Sequence, residues 1–208
     1  EDLAPLIGAL GDAGARVDVV DWDDDGVDWS AFDLAVLRST WDYTLRLPEF
    51  LAWADRAGAL TSLHNPVAVL RWNTDKHYLG DLDREGVPVV PSHFFEPGQR
   101  VDQGLASWLA ARPALPEFVV KPCVGAGSQD ALRHARADLA LATAHAQRLL
   151  DAGRSVLVQP YLGRVDRQGE TALVYFAGAF SHAIRKGPLL KPGRAPTTAM
   201  FAPEHIGA

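Results

Sequence analysis

The segment Phe118-Val-Val-Lys121-Pro-Cys-Val-Gly125-Ala-Gly127-Ser-Gln-Asp130 sets a fixed positive charge beside a turn rich in glycine. The apolar run from Phe118 to Val120 predicts a buried strand, so Lys121 stands at a strand end and needs an anionic partner. Gly125 and Gly127 permit backbone conformations that a β-carbon forbids, and successive N–H groups can then converge on a phosphate. Lysine plus a nest of amides suits a polyphosphate. For this segment alone, a lysine ending a strand before an ordinary tight turn is the alternative.

A second lysine and two further segments add to it. Asn73-Thr-Asp-Lys76 is predicted to open a helix with Leu79 and Leu82 on one face, and Gly86 to Pro91 to close it into a strand. Ser155-Val-Leu-Val-Gln159-Pro-Tyr161-Leu162 reads as a strand running into a connection stiffened by proline. Residues 169–176 and 179–186 flank Ala177-Gly178 as a hairpin.

Taken in order over residues 64 to 190, these segments resemble the ATP-grasp superfamily, in the branch that looks like glutathione synthetase and the ligase adding glutamate to a ribosomal protein. The resemblance implies that Lys76 and Lys121 are the two nucleotide lysines. It makes Gly125, Ala126, Gly127 and Ser128 the mobile loop over the phosphates. Gln159 to Leu162 matches the hinge, where the backbone of Tyr161 and Leu162 bonds the adenine edge, and Glu170 falls near the ribose position. Arg185 or Lys186 matches a basic position, read as catalytic, at the γ-phosphate and the acyl-phosphate. A shift of one residue exchanges their faces in a strand, so both stay open.

The chemistry of these matches holds independently of the family. ATP carries about four negative charges, and offsetting them during transfer is mostly electrostatic positioning by lysines, amides and magnesium. In the second hairpin strand, alternation puts Ser181, Ala183 and Arg185 on one face and His182, Ile184 and Lys186 on the other. Both faces are half polar, as a strand lining a charged cleft would be.

The elements that must position these groups predict an α/β chain with an α+β lid. The resemblance implies that an N-terminal parallel α/β domain (1–66) precedes a lid subdomain (67–159) and the start of a C-terminal ATP-grasp subdomain (160–208). In the first third a helix over Leu3 to Ala13, a strand over Arg16 to Val20, a strand over Phe32 to Leu37 and a helix over Pro48 to Ala57 alternate, which predicts a parallel sheet. Asp21 to Gly26 reads as a solvated turn, because it lacks the later glutamate of a calcium loop. Arg38-Ser-Thr40-Trp-Asp42-Tyr follows a strand's carboxyl end, where open α/β sheets place ligands, so Arg38, Thr40 and Asp42 are candidate substrate contacts. A helix-capping loop is the other reading. A helix over Gln103 to Ala111 and, beyond Lys121, one with Leu139, Ala142, Ala146 and Leu149 on its inner face are predicted as scaffold.

Composition excludes several classes. With 208 residues and 48% hydrophobic content, the chain can bury a substantial core. Its net charge of −6 offers no basic field for nucleic acid. No apolar run reaches membrane-spanning length, and no signal-peptide pattern opens the chain, so a cytoplasmic location without membrane partners is expected. Cys123 is the sole cysteine, which rules out an internal disulfide, and neither a histidine nor a second cysteine lies close enough in sequence to make it a nucleophile. The seven histidines form no pair at zinc spacing.

The expected partners are a small carboxylate and a small amine, with self-association left open. ATP and Mg2+ are the implied cofactors. No metal ligand is assigned here, because relatives carry their magnesium carboxylates beyond the basic hairpin, and Glu204 is the sole acidic residue after Glu170. The chain is therefore expected to be part of a longer enzyme, incomplete at both ends and inactive alone. The implied reaction turns a carboxylate into an acyl-phosphate that an amine converts to an amide. The hairpin and the Arg38 segment also look like an antibiotic-pathway branch in which one molecule supplies both ends and closes a ring, as in cycloserine formation. Rival readings are an ATP-binding module without catalysis and a small-molecule kinase.

Overall fold

Residues 3–191, 193 and 206–207 are described by a computed structural model of the chain, whose residues group into two units, 1–74 and 75–208. In the first unit, helix α1 (Leu3–Asp12) is followed by strand β1 (Leu34–Val36), helix α2 (Leu47–Leu60), strand β2 (Ser62–His64) and helix α3 (Val67–Asn73). β1 and β2 pair in parallel, the sense the alternation predicts, although the partner of β1 is Ser62–His64, which the sequence reading did not place as a strand. Helix α2 starts with Pro48 in its first turn and buries Phe50, Trp53, Ala54 and Ala57, an i, i+3, i+4, i+7 stripe. That stripe packs with Trp22, Leu63 and Leu70. The edge of Trp22 meets Phe50 at 5.4 Å and Trp53 at 6.0 Å between ring centroids.

Arg16 to Val20 does not form the predicted strand. The segment has no ladder partner among the described residues, and Val19 stays 60% exposed, so β propensity alone does not define a strand there. Asp21 to Gly26 is the expected turn, closed by a bond from Asp24 N–H to the Asp21 carbonyl.

The second unit holds helix α4 (Tyr78–Arg84), strand β3 (His93–Phe95), helix α5 (Val101–Ala110), strands β4 (Glu117–Pro122) and β5 (Leu132–Ala135), helix α6 (Leu139–Asp151) and strand β6 (Val156–Pro160). The strands form an antiparallel sheet in the order β3-β6-β4-β5. Phe118 and Val120 point to one face and are fully buried against α5 and α6, where Leu105, Ala142, Ala146 and Leu149 meet them. By the two-residue period of a strand, Glu117, Val119 and Lys121 project from the opposite face. The core on one side thus fixes Lys121 on the other.

Two sequence expectations shift here. Asn73 ends α3, and Thr74 to His77 form a break before α4 instead of opening it; the strand placed at residues 86–91 lies two residues later, at β3. Beyond β6, helix α7 (Val165–Gln168) leads into the hairpin of β7 (Glu170–Phe176) and β8 (Ala179–Lys186), with strand β9 (Ile206–Gly207) on β8. Ala177 and Gly178 turn the hairpin with φ of 48° and 81°, the doubly left-handed pattern of tight hairpins. A register shift beside Val174 leaves Ser181 opposite no residue, so the predicted alternation holds from His182 to Lys186 and breaks at Ser181.

Candidate functional site

Lys76, Lys121, the glycine-rich loop and the hinge line one cavity of about 390 Å³ within the second unit, with Val119, Gln159 and Glu170 also in its wall. Lys76 comes from the α3–α4 break. Its backbone N–H bonds the Cys123 carbonyl at 3.1 Å, and its ammonium donates to the carbonyls of Cys123 (3.1 Å) and Gly125 (2.8 Å). Burial, reinforced by the positive charge of Lys121, pulls its pKa down to about 8. Lys121 is also lowered by burial, with the Glu170 carboxylate pulling the other way. Two desolvated lysines facing one cavity, with only part of their charge offset by Asp75 and Glu170, suit an anion.

The loop supplies the other half. Among the described residues, the N–H groups of Gly125, Ala126, Gly127 and Ser128 donate to no protein acceptor. Gly127 and Ser128 both have positive φ, 60° and 59°, so the backbone turns left-handed where the amides cluster. The far end is anchored: Asp130 accepts from Arg148 at 2.8 Å and from Arg154 at 2.6 Å.

At the hinge, Tyr161 N–H bonds the Glu117 carbonyl at 3.0 Å and so completes the sheet. Of the two backbone N–H groups expected to read a base, the one at Leu162 is left for it. Gln159 is nearly buried, and its amide donates to Ser92 Oγ at 2.9 Å, bracing the cavity wall at Val90. Pairing of Glu170 with Lys186 and of Thr171 with Arg185 settles their faces: Lys186 shares the face of Glu170, and Arg185 that of Thr171 and Ala183. Arg185 and Lys186 both line an adjacent depression with Gly169 and Gly187.

Arg38, Thr40 and Asp42 belong to the first unit, after the carboxyl end of β1. Arg38 is exposed. The Asp42 carboxylate accepts from Trp22 Nε1 at 3.0 Å and lies 3.6 Å from the Arg46 guanidinium, so it also braces the aromatic core.

Sequence reasoning missed two clusters. Asp75, His77 and Cys123 bring three candidate ligand atoms within 4.8 Å of one another. However, His77 already bonds Asp75 through Nδ1 (2.6 Å) and Glu96 through Nε2 (2.9 Å), and burial holds the Cys123 thiol neutral. A neutral sulfur and a committed imidazole do not suit Mg2+, which demands oxygen ligands. The second cluster, around Arg133, joins three elements: its fork grips Glu117, and it also reaches Asp166 and the ring of Tyr161. Nothing in the spacing of these residues announces either contact.

A sheet that presents one lysine, a second lysine from a preceding turn and a loop of uncommitted amides meet on one cavity of the second unit, the arrangement expected of an ATP-grasp fold. Comparison with known proteins agrees. The family described as "D-cycloserine synthetase DcsG, N-terminal domain" matches residues 1–65. The cycloserine biosynthesis protein DcsG of Streptomyces lavendulae is 44% identical over 191 residues, which cover 92% of this chain and 64% of that protein. The crystal structure of D-cycloserine synthetase DcsG superposes with a TM-score of 0.88 at 42% identity, over 99% of this chain and 69% of that one. The ATP-grasp ligase PsnB, solved with its minimal precursor, shares the fold at a TM-score of 0.52 and 18% identity, over 100% of this chain and 73% of that one. The chain belongs to the D-cycloserine synthetase family of ATP-grasp proteins. It spans about two thirds of the length of these relatives.

Proposed function

We propose that this chain is the nucleotide-gripping part of an ATP-dependent ligase that joins a carboxylate to an amine carried by the same small amino-acid-like molecule, closing a ring. The observation that carries the reading is the convergence of Lys76 and Lys121 on one cavity with four uncommitted loop amides. The relatives' names, cycloserine biosynthesis protein and D-cycloserine synthetase, favour ring closure over the joining of two substrates.

ATP supplies the phosphoryl group that activates the carboxylate as an acyl-phosphate. Lys76 and Lys121 hold the phosphates, the amides of Gly125 to Ser128 cover them, and Leu162 N–H receives the base. Lys186, on the face of Glu170, offsets charge where the phosphoryl group is transferred; Glu170 sits where a ribose would lie. A loop that covers the phosphates also keeps water from the activated carboxyl. Arg38, Thr40 and Asp42 are assigned to the amino-acid-like substrate. Residues 67–159 form the lid and 160–208 open the second half of the grip. Mg2+ is held by carboxylates other than those described, and a cytoplasmic site of action fits a consumer of ATP. Membranes also have no place in this reading, and no described helix is long and apolar enough to cross one.

Incubation of the full-length enzyme with ATP and a candidate amino acid bearing both groups tests it by mass spectrometry. The expected result is one product lighter than its substrate by one water, with ADP and phosphate released in equal amounts. ADP release without that product, or a product joining two molecules, would overturn the ring-closing reading.

A further inference from the structure

The guanidinium of Arg133 engages two carboxylates and an aromatic ring at once. It sits on the edge strand β5, and its side chain is 6% exposed. Nε and Nη2 donate to the two carboxylate oxygens of Glu117 at 2.8 and 2.5 Å, and Nη1 donates to Asp166 Oδ1 at 2.9 Å. The same Asp166 oxygen accepts from Tyr161 Oη at 2.5 Å. The guanidinium plane also lies over the Tyr161 ring, with Cζ 3.7 Å from the centroid.

Strand register explains how these groups meet. Val119 pairs with Arg133 and Glu117 with Ala135, so Glu117 and Arg133 are diagonal neighbours on one face of the sheet. It is the face that carries Lys121. Glu117 acts twice, through its carboxylate on Arg133 and through its carbonyl on Tyr161 N–H. Asp166 belongs to α7, which follows the hinge and precedes the entry to β7. One cation on β5 therefore ties the start of β4 to the hinge and α7, which lie far along the chain from both strands.

A buried arginine paired this completely contributes little net stability, because desolvation offsets much of the attraction. What its planar fork does supply is orientation: three fixed donor directions and a flat face leave Tyr161 one position. Leu162, with the N–H left for a base, is the next residue along, and both line the cavity.

We propose that Arg133 is a positioning residue for the base of the nucleotide: acting through Tyr161 and Asp166, it holds the hinge where Leu162 N–H meets the base edge. The proposal rests on the nucleotide reading of the cavity and adds to it a division of labour. The lysines and loop bind the phosphates, and the Arg133 clamp sets the base end alone.

The test compares two probes by titration calorimetry: ATP, and inorganic tripolyphosphate, which has the charges but no base. Arg133→Lys keeps the cation against Glu117 and Asp166 but loses the fork and the flat face; Tyr161→Leu removes the ring and leaves the ion pairs. Each is expected to weaken ATP roughly tenfold while changing tripolyphosphate affinity less than about twofold. The double variant should lose little more than either single one, as residues acting as a unit do. Unchanged ATP affinity in both variants, or equal losses for ATP and tripolyphosphate, overturns the proposal. Wild-type protein that binds neither probe instead overturns the nucleotide reading, and Lys121→Met, expected to weaken both probes alike, checks that reading separately.

Discussion

Nucleotide binding should draw protons from solution, because the Lys76 ammonium holds its proton less tightly in the free protein than an ordinary lysine does. Burial and the neighbouring charge of Lys121 bring its pKa to about 8. By simple titration about a tenth of Lys76 is uncharged at pH 7, about half at pH 8 and about nine tenths at pH 9. Phosphates arriving beside it favour the ammonium and restore its ordinary value near 10.4. The bound state therefore holds more protons than the free state, and affinity must fall as pH rises. From pH 7 to pH 9 the loss is about tenfold, or roughly 1.4 kcal/mol. The terminal phosphate does not confuse the count, since its second pKa is about 6. Calorimetry at pH 8 in two buffers of different ionisation enthalpy measures the uptake directly. The expected value is about half a proton per nucleotide from Lys76, with any contribution from Lys121, whose pKa burial also lowers, adding to it. Lys76→Met should remove that half. Identical heats in both buffers, or affinity that rises between pH 7 and pH 9, would refute the reasoning.

Three further outcomes follow from particular contacts. Burial keeps His134 and His145 neutral, bringing His145 to about 4, with His134 and Arg148 adding to the effect. An unfolded histidine binds its proton near 6.5, so this contribution to stability is full above that pH and is lost as pH falls toward about 4. Urea midpoints at pH 7 and pH 4.5 should differ, and His145→Phe should narrow the difference. Gly169 has a φ of 67° and its missing β-carbon would collide with the Lys186 carbonyl, so Gly169→Ala should cost about 1–3 kcal/mol by urea denaturation. Lys186→Met should depress ATP turnover far more than Arg185→Met, because only Lys186 shares the face of Glu170; equal effects would remove that distinction.

Much of the lining of the Lys76–Lys121 cavity is legible in the sequence because chemistry and punctuation coincide there. An apolar run, a lysine and two glycines lie within ten residues, and the Ala177-Gly178 turn announces its hairpin. The inner face of α6 was legible for a different reason: Ala142, Ala146 and Leu149 keep helical spacing, and all three are fully buried. What stayed hidden depends on neighbours distant in sequence. β5 is four residues long and half polar, so it becomes a strand only by lying against β4. Arg16 to Val20 has the composition of a strand but no partner among the described residues. The Arg133 clamp is spread over residues 117, 133, 161 and 166, and no local pattern could have joined them. Asp42 reads as a candidate substrate contact, and its indole and guanidinium partners, 20 positions before it and four after it, carry no local signal that joins them to it.

An ammonium has three hydrogens, and Lys76 spends two of them on the carbonyls of Cys123 and Gly125. It is a tripod with two feet planted on the chain that begins the phosphate loop and the third foot free. In the proposed nucleotide reading, a phosphate oxygen would take that third foot without dislodging the others, and the loop's root at Gly125 would stay pinned. Methionine would remove all three feet together. The side chain that greets the incoming charge is also the peg on which the flap hangs.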